Sequence, residues 1–422
     1  MKFGKTALYS GLITVSKTLA GFISTKVVAL IVGPPGVAVI GAFINFIAIV
    51  LAFGNGAITN GIIKYTAEYT NNINKSFKLF NTALVISFVC SLVCCAILFV
   101  FSKYLSILIF TNDQYSFIIK FLGFFLLFYS LNTLLISILN GRGLINLYTI
   151  VNTIGSLFSV VLTCVLVYFY KVQGALYALV LSQSVIFIFT FYFFFRKTNF
   201  QKKNFRLEYN KIIGKKLFKY SFMAIISALT VPVSQILIRN IIIDFEGVNS
   251  AGFWQGIMKI SDAYLLVVLT ALGTYYLPKL SSTKDNSLIK KEILQGYKYI
   301  LPVTLLGLII VYFCRNIIIQ ILYDDRFLQM NDLFLWQLVG DFFKITAYLL
   351  SYVMLAKAQM KLYIATEIIF SASYILFSYL FITTYGVIGA TYAFALNYFI
   401  YMIVLFINFR KLLTSRHAEF KF

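Results

Sequence analysis

Histidine is almost absent from this chain. His417, in the C-terminal tail, is the only one in 422 residues, and the five cysteines (Cys90, Cys94, Cys95, Cys164 and Cys314) all fall in or at apolar runs. No metal site, disulfide framework or Cys/His or Ser/His nucleophile system can be assembled from them. No phosphate-cradling glycine loop follows a strand, so no nucleotide site is expected either. Charge is also scarce: Asp, Glu, Lys and Arg make up 12% of the residues, and the 14 acids are far outnumbered by 36 bases. No cofactor is expected, and enzymatic chemistry has only scattered carboxylates to work with.

What fills the chain is apolar. Hydrophobic residues make up 60% of it and the mean hydropathy is +0.88, far outside the range of soluble domains. Runs of about twenty apolar residues, the length that crosses a bilayer, recur from end to end. Read against the polar breaks they give twelve spans, at 8–32, 38–62, 79–102, 117–139, 146–170, 174–195, 217–243, 253–277, 298–320, 333–356, 362–383 and 387–409. The first is too long for a cleaved signal and holds Lys17 and Lys26, so it is expected to remain. The fold class is therefore all-α integral membrane protein, with no soluble domain between the spans.

The basic residues orient it. With both termini cytoplasmic, 26 of the 36 Lys and Arg fall on the cytoplasmic side; five (Lys103, Lys120, Lys171, Arg315, Arg326) lie opposite and five (Lys17, Lys26, Arg239, Lys259, Lys344) sit inside spans. That asymmetry obeys the positive-inside rule. The densest block, RKTNFQKKNFRLEYNKIIGKKLFK at 196–219, reads as a cytoplasmic linker facing anionic lipid. The net charge of +22 is spread over loops without a binding motif, and no nucleic-acid partner is expected. The organisation is thus an N-terminal bundle at 1–195, a basic linker at 196–216, a C-terminal bundle at 217–409 and a cytoplasmic tail at 410–422.

The two sets of six spans read as copies. Lys5, Tyr9, Ser10, Ser16, Gly36, Val37 and Gly41 match Lys216, Tyr220, Ser221, Ser227, Gly247, Val248 and Gly252 at an offset of 211, whereas Arg142, Leu147, Tyr148, Gly174, Ala175, Tyr177 and Ala178 match Lys357, Leu362, Tyr363, Gly389, Ala390, Tyr392 and Ala393 at 215. A four-residue insertion in the second half reconciles them. Copies of six spans have the same orientation, so a pseudo-two-fold axis along the membrane normal is expected, with a site between two rocking bundles.

Charges inside the spans carry the functional reading. In GFWQGIMKISDAYLLVVL at 252–269, Lys259 and Asp262 share a helix face; in WQLVGDFFKITAY at 336–348, Asp341 and Lys344 do so in reverse order. Seven such charges facing lipid would cost about 20 kcal/mol, so they face protein or water. Lys259 and Asp262 either neutralise each other or line something wet. Lys17, Lys26 and Arg239 leave the interior positive, which favours an anionic, phosphate-bearing substrate. Asn45, Asn60, Gln255 and Trp254 offer polar and aromatic contacts of the kind sugars use.

On WQGxxxISDAYL at 254–265, Leu277-Pro278, WQLVGD at 336–341 with Lys344, Tyr348 and Ala356-Lys357, and NGxxKY at 60–65, the chain resembles bacterial flippases of lipid-linked oligosaccharides. These form the polysaccharide-export branch of the multidrug/oligosaccharidyl-lipid/polysaccharide superfamily, with the groups serving O-antigen and enterobacterial common antigen the most similar. The resemblance implies a MATE-like pair of six-helix bundles around a cationic cavity. It implies movement of undecaprenyl diphosphate-linked oligosaccharide from the cytoplasmic to the periplasmic leaflet of the inner membrane, and as partners that lipid, the membrane lipids and other membrane proteins of glycan assembly. Arg239, Lys17, Lys26, Lys344, Asn45, Asn60, Gln255 and Trp254 are the expected substrate contacts; Asp262, Asp341 and Lys259 are expected to gate or couple to ions. Lys259 lies outside the recognisable pattern. An ion-coupled exporter of another amphiphile or drug shares the fold but should have an acid-rich cavity, and a polymerase or ligase would need a large periplasmic loop, whereas the longest on that side is about 320–332.

Overall fold

The computed structural model describes residues 3–197, 206–283, 285–357 and 359–414. Parts of the basic linker and of the C-terminal tail, with His417, lie outside the described residues. In a bilayer every backbone N–H and C=O must be satisfied within the chain, and the apolar runs accordingly form helices, with no strand among the described residues. The order is α1 (Phe3–Gly54), α2 (Thr59–Glu68), α3 (Ile73–Val100), α4 (Ser102–Phe110), α5 (Ser116–Gly141), α6 (Ile145–Lys197), α7 (Lys211–Ala271), a π-helical stretch (Leu272–Tyr276), α8 (Leu277–Ser282), α9 (Asn286–Phe313), α10 (Arg315–Leu322), a 3-10 stretch (Asp325–Leu333), α11 (Phe334–Ala356), α12 (Met360–Tyr385) and α13 (Val387–Thr414).

Among the described residues nine helical segments are long and apolar enough to cross a membrane, and three of these run to 42, 53 and 47 residues. About 20 residues suffice for one pass, so each of the three is long enough for two. Each also breaks at one residue with positive φ: Gly33 before Pro34-Pro35 in α1, Lys171 in α6 and Gly247 in α7. A fourth break, Gly386, separates α12 from α13. All four fall between the spans read from the sequence.

The chain divides into two compact units, Met1–Val233 and Ser234–Phe422. The division lies inside α7 and not at the 196–216 linker, because the start of α7 is built into unit 1. The Arg206 backbone N–H donates to Asn81 Oδ1 at 3.0 Å and that of Asn210 to Thr82 Oγ1 at 3.1 Å, while Ile213 and Leu217 join a core with Leu79, Phe80, Ile138 and Leu139. Unit 2 has its own core around Leu349, Leu350, Val353 and Leu405.

Compared element by element, the units carry the internal repeat into geometry. α3 and α9 begin and end 213 residues apart, and so do their caps: Asn72 accepts from the Lys75 N–H, Asp285 from the Ser287 N–H. From Arg142 and Lys357 onward the offset is 215. The four-residue insertion therefore enters in two steps, two residues before α9 and two between α10 and the end of α11. Arg142 donates to Thr70 O at 2.8 Å and its counterpart Lys357 donates to Thr283 O, so in each unit one cation ties two loops together. Lys171 (φ 50, ψ −125) and Gly386 (φ 66, ψ −154) occupy the same turn. Three residues on, a Cβ at Gly174 would lie 1.9 Å from Leu166 O and one at Gly389 2.1 Å from Phe381 O. Only glycine allows the helices to double back this tightly.

Candidate functional site

The charges singled out on α7 and α11 converge within unit 2, but not as the two self-neutralised pairs that their spacing suggests. Asp341 is completely buried. Its carboxylate is held from α7: Ser261 Oγ donates to Oδ2 at 2.7 Å, and Tyr264 OH donates a short bond to the same oxygen. Ser261 and Tyr264 stand three apart, on one helix face. Gln337, one turn before Asp341, reaches the carboxylate and Ser261 Oγ only at 3.5 Å. A carboxylate with two good donors and one long contact is anchored across two helices without a salt bridge.

Lys344, one turn beyond, is lodged among rings. Its Nζ lies 5.9 Å from the centroid of Tyr348, 5.6 Å from Phe394 and 5.4 Å from Tyr398, all within cation–π range. α13 comes this close because position 340 is glycine: a Cβ there would lie 2.3 Å from Phe394 Cδ1. Asp262 is exposed in this conformation. Among the described residues no salt bridge joins Lys259 to Asp262 or Asp341 to Lys344. Asp341 is held from α7 and Lys344 by rings of α11 and α13, which a rule based on one helix cannot show.

Sequence reasoning missed three members of the cluster. Ser261 and Tyr264 sit in the ISDAY stretch, where hydroxyls are unremarkable until their partner is known. Glu367 of α12 acts electrostatically on Lys344; it lies five residues inside its span, and its position in an apolar run was the available signal. Glu367 adds a third acid to Asp262 and Asp341 in the spans of unit 2.

The remaining expected contacts are spread out. Arg239 is 1% exposed, with its guanidinium donating to Asn240 Oδ1 at 2.9 Å. Trp254 is fully buried; its indole N–H faces the Tyr374 hydroxyl without closing a hydrogen bond of ordinary length. Gln255 is half-buried and its Oε1 lacks a partner. Lys17, Lys26, Asn45 and Asn60 belong to unit 1, where Lys17 and Asn60 are exposed and Lys26 and Asn45 half-buried.

Against known proteins, a family profile described as polysaccharide biosynthesis protein matches residues 3–284. The chain belongs to this polysaccharide biosynthesis protein family. Among proteins of similar sequence, the lipid III flippases of Escherichia coli (strain K12) and Shigella flexneri are each 27% identical to it over 404 residues, 95% of this chain and 96% of theirs. Among solved structures, an inward-facing multidrug resistance MATE family transporter of the MOP superfamily matches with a TM-score of 0.79 at 18% identity, over 94% of both chains. The lipid II flippase MurJ, in an inward closed conformation, matches with a TM-score of 0.73 at 15% identity, over 96% of this chain and 87% of MurJ. The family member described here thus has the MOP fold of a multi-pass membrane protein.

Proposed function

We propose that the protein is a flippase of lipid-linked oligosaccharide, carrying an undecaprenyl diphosphate-linked repeat unit of the O-antigen or enterobacterial common antigen type across the inner membrane by alternating access. The observation that carries this reading is the match to lipid III flippases over nearly the full length of both chains. The reading makes it a transporter and not an enzyme, with both termini and the basic linker cytoplasmic, where 26 of the 36 cations then lie.

In this reading Lys17, Lys26 and Arg239 supply positive potential for the diphosphate, and Asn45, Asn60 and Gln255 supply hydrogen bonds to sugar hydroxyls. Arg239 and Trp254 are sealed in this conformation, so substrate reaches them only when the packing around them opens. Lys344, caged by rings and near three acids, holds those acids as much as it attracts substrate. Asp341, Asp262 and Lys259 form the gating or coupling element: a buried carboxylate whose donors come from a second helix can exchange those donors, or a proton, between two states and so bias their equilibrium. Contacts with other membrane proteins of glycan assembly also belong to this reading.

A second reading, an ion-coupled exporter of another amphiphile, draws on the likeness to the MATE transporter. Complementation separates the two. Expression in flippase-deleted strains, each making one defined glycan, should restore surface glycan in one of them. Restoration in none, together with increased drug tolerance, would favour the exporter.

A further inference from the structure

A groove of about 730 Å³ is lined wholly by residues of unit 1. Its lining is mostly apolar, with Phe53, Ile86, Cys90, Phe218 and Ile225 and the polar Ser221, and the exposed Tyr209, Lys211 and Lys215 form its rim. Two glycines shape it. A Cβ at Gly56 (φ +65) would lie 2.7 Å from Ile86 Cγ2, and one at Gly214 would lie 2.1 Å from the Tyr209 hydroxyl.

The rim is fixed in place by polar contacts. Asn210 Oδ1 accepts from the N–H groups of Ile212 and Ile213, both at 3.1 Å, and so sets the first turn of α7. Lys216 is engaged by unit 1 instead: its Nζ donates to Tyr69 OH at 3.0 Å and lies 5.6 Å from the centroid of the Tyr65 ring. Lys211 and Lys215, four residues apart on that helix, are left exposed, and no acidic side chain among the described residues forms a salt bridge with either. Two like charges at this spacing repel, so the rim favours an anion, while the walls favour hydrocarbon.

We infer that this groove holds an anionic phospholipid, with its phosphate between Lys211 and Lys215 and one acyl chain along Phe53, Ile86 and Cys90. The volume is that of a ligand pocket. The rim offers a phosphate two cations, and among the described residues no amide or carboxylate side chain lines the groove for a glycan. Seated there, the lipid joins the start of α7 and the end of the basic linker to α3. The inference does not depend on the transport reading.

Native mass spectrometry of the full-length purified protein, titrated with dioleoyl phosphatidylglycerol or dioleoyl phosphatidylcholine, tests it. Phosphatidylglycerol should bind as one tight equivalent, about 30-fold more tightly than phosphatidylcholine, the factor expected of two lysines near an anionic headgroup. The double variant Lys211→Gln/Lys215→Gln should bring the two lipids level, and Cys90→Trp, which fills the tail path, should weaken both. Should Cys90→Trp not fold, the charge variant alone decides. Equal binding of the two lipids by the wild type, or undiminished phosphatidylglycerol binding by the lysine variant, would overturn the inference. So would stoichiometric displacement of phosphatidylglycerol by a polyprenyl diphosphate that itself loses affinity in the lysine variant.

Discussion

Replacing Asp341 by Asn removes a charge while keeping the side chain's shape, and the structure sets what that should cost. The carboxylate accepts from Ser261 Oγ at 2.7 Å and from Tyr264 OH; the 3.5 Å approach of Gln337 adds little. Hydrogen bonds to a charged acceptor contribute about 1.5–3 kcal/mol each, against about 1 kcal/mol for neutral ones. The Asn carbonyl can still accept from both hydroxyls, so Asp341→Asn should lose about 0.5–2 kcal/mol per bond, about 1–4 kcal/mol in all, roughly 2–16 °C in Tm for a unit of this size. Tyr264→Phe should cost about 1.5–3 kcal/mol, because it deletes one donor outright. If Asp341 served packing alone, the loss of export would follow the loss of Tm in both variants. If its charge gates or couples transport, Asp341→Asn loses export beyond what its Tm accounts for. The assay pairs surface glycan export, normalised to protein abundance, with the Tm of each purified variant. Asp341→Asn should lower export at least tenfold, and Tyr264→Phe should retain a measurable fraction. Normal export by Asp341→Asn, or export losses that follow Tm across both variants, would refute the coupling role.

Arg239→Gln should impair export at unchanged abundance through loss of diphosphate affinity; undiminished binding of the lipid diphosphate would remove Arg239 from the site. In a cysteine-free background, an impermeant thiol reagent applied to intact, outer-membrane-permeabilised cells should label Asn249→Cys and spare Leu207→Cys, and the opposite pattern would invert the topology. Both positions are exposed, and Asn249 avoids the strained φ of Gly247. Lys171→Gly should raise Tm by about 2–4 °C: a side chain in this φ/ψ region costs about 1–3 kcal/mol, glycine gives back about 0.5–1 in chain entropy, and the same turn in unit 2 already uses Gly386. A fall in Tm would show that the turn is unstrained.

The class, the helical runs and the breaks between them were legible because the bilayer forces a 20-residue apolar period and because Gly33-Pro34 and Gly386 punctuate it. The repeat was legible at its ends, where glycine and tyrosine positions recur. Its two-step insertion was not, because α3 to α5 and α9 to α11 share caps and lengths more than residue identities. In the site, Asp262, Asp341, Lys259 and Lys344 stood out as charges in apolar runs. Whether they pair along one helix or act across helices stayed open in the sequence, because only helix rotation decides between the two. Ser261 and Tyr348 stood in the recognised motifs without a partner to give them a role, and Phe394 and Tyr398 carry no signal in a chain so rich in aromatic residues. The start of α7 reads as the first helix of the second copy, yet Asn81, Thr82 and Tyr69 bind it to unit 1 through long-range contacts.

Translocation in a purified system tests the central proposal most directly. The protein would be reconstituted into vesicles loaded with a fluorescent undecaprenyl diphosphate-linked oligosaccharide, and the probe reaching the outer leaflet would be followed by quenching with a membrane-impermeant reductant. Wild-type protein should speed its appearance well above that in protein-free vesicles, Asp341→Asn should fall to near the protein-free rate, and a fluorescent phosphatidylcholine should stay unaccelerated. A wild-type rate equal to that of protein-free vesicles under every ion gradient, or equal acceleration of phosphatidylcholine, would contradict the account.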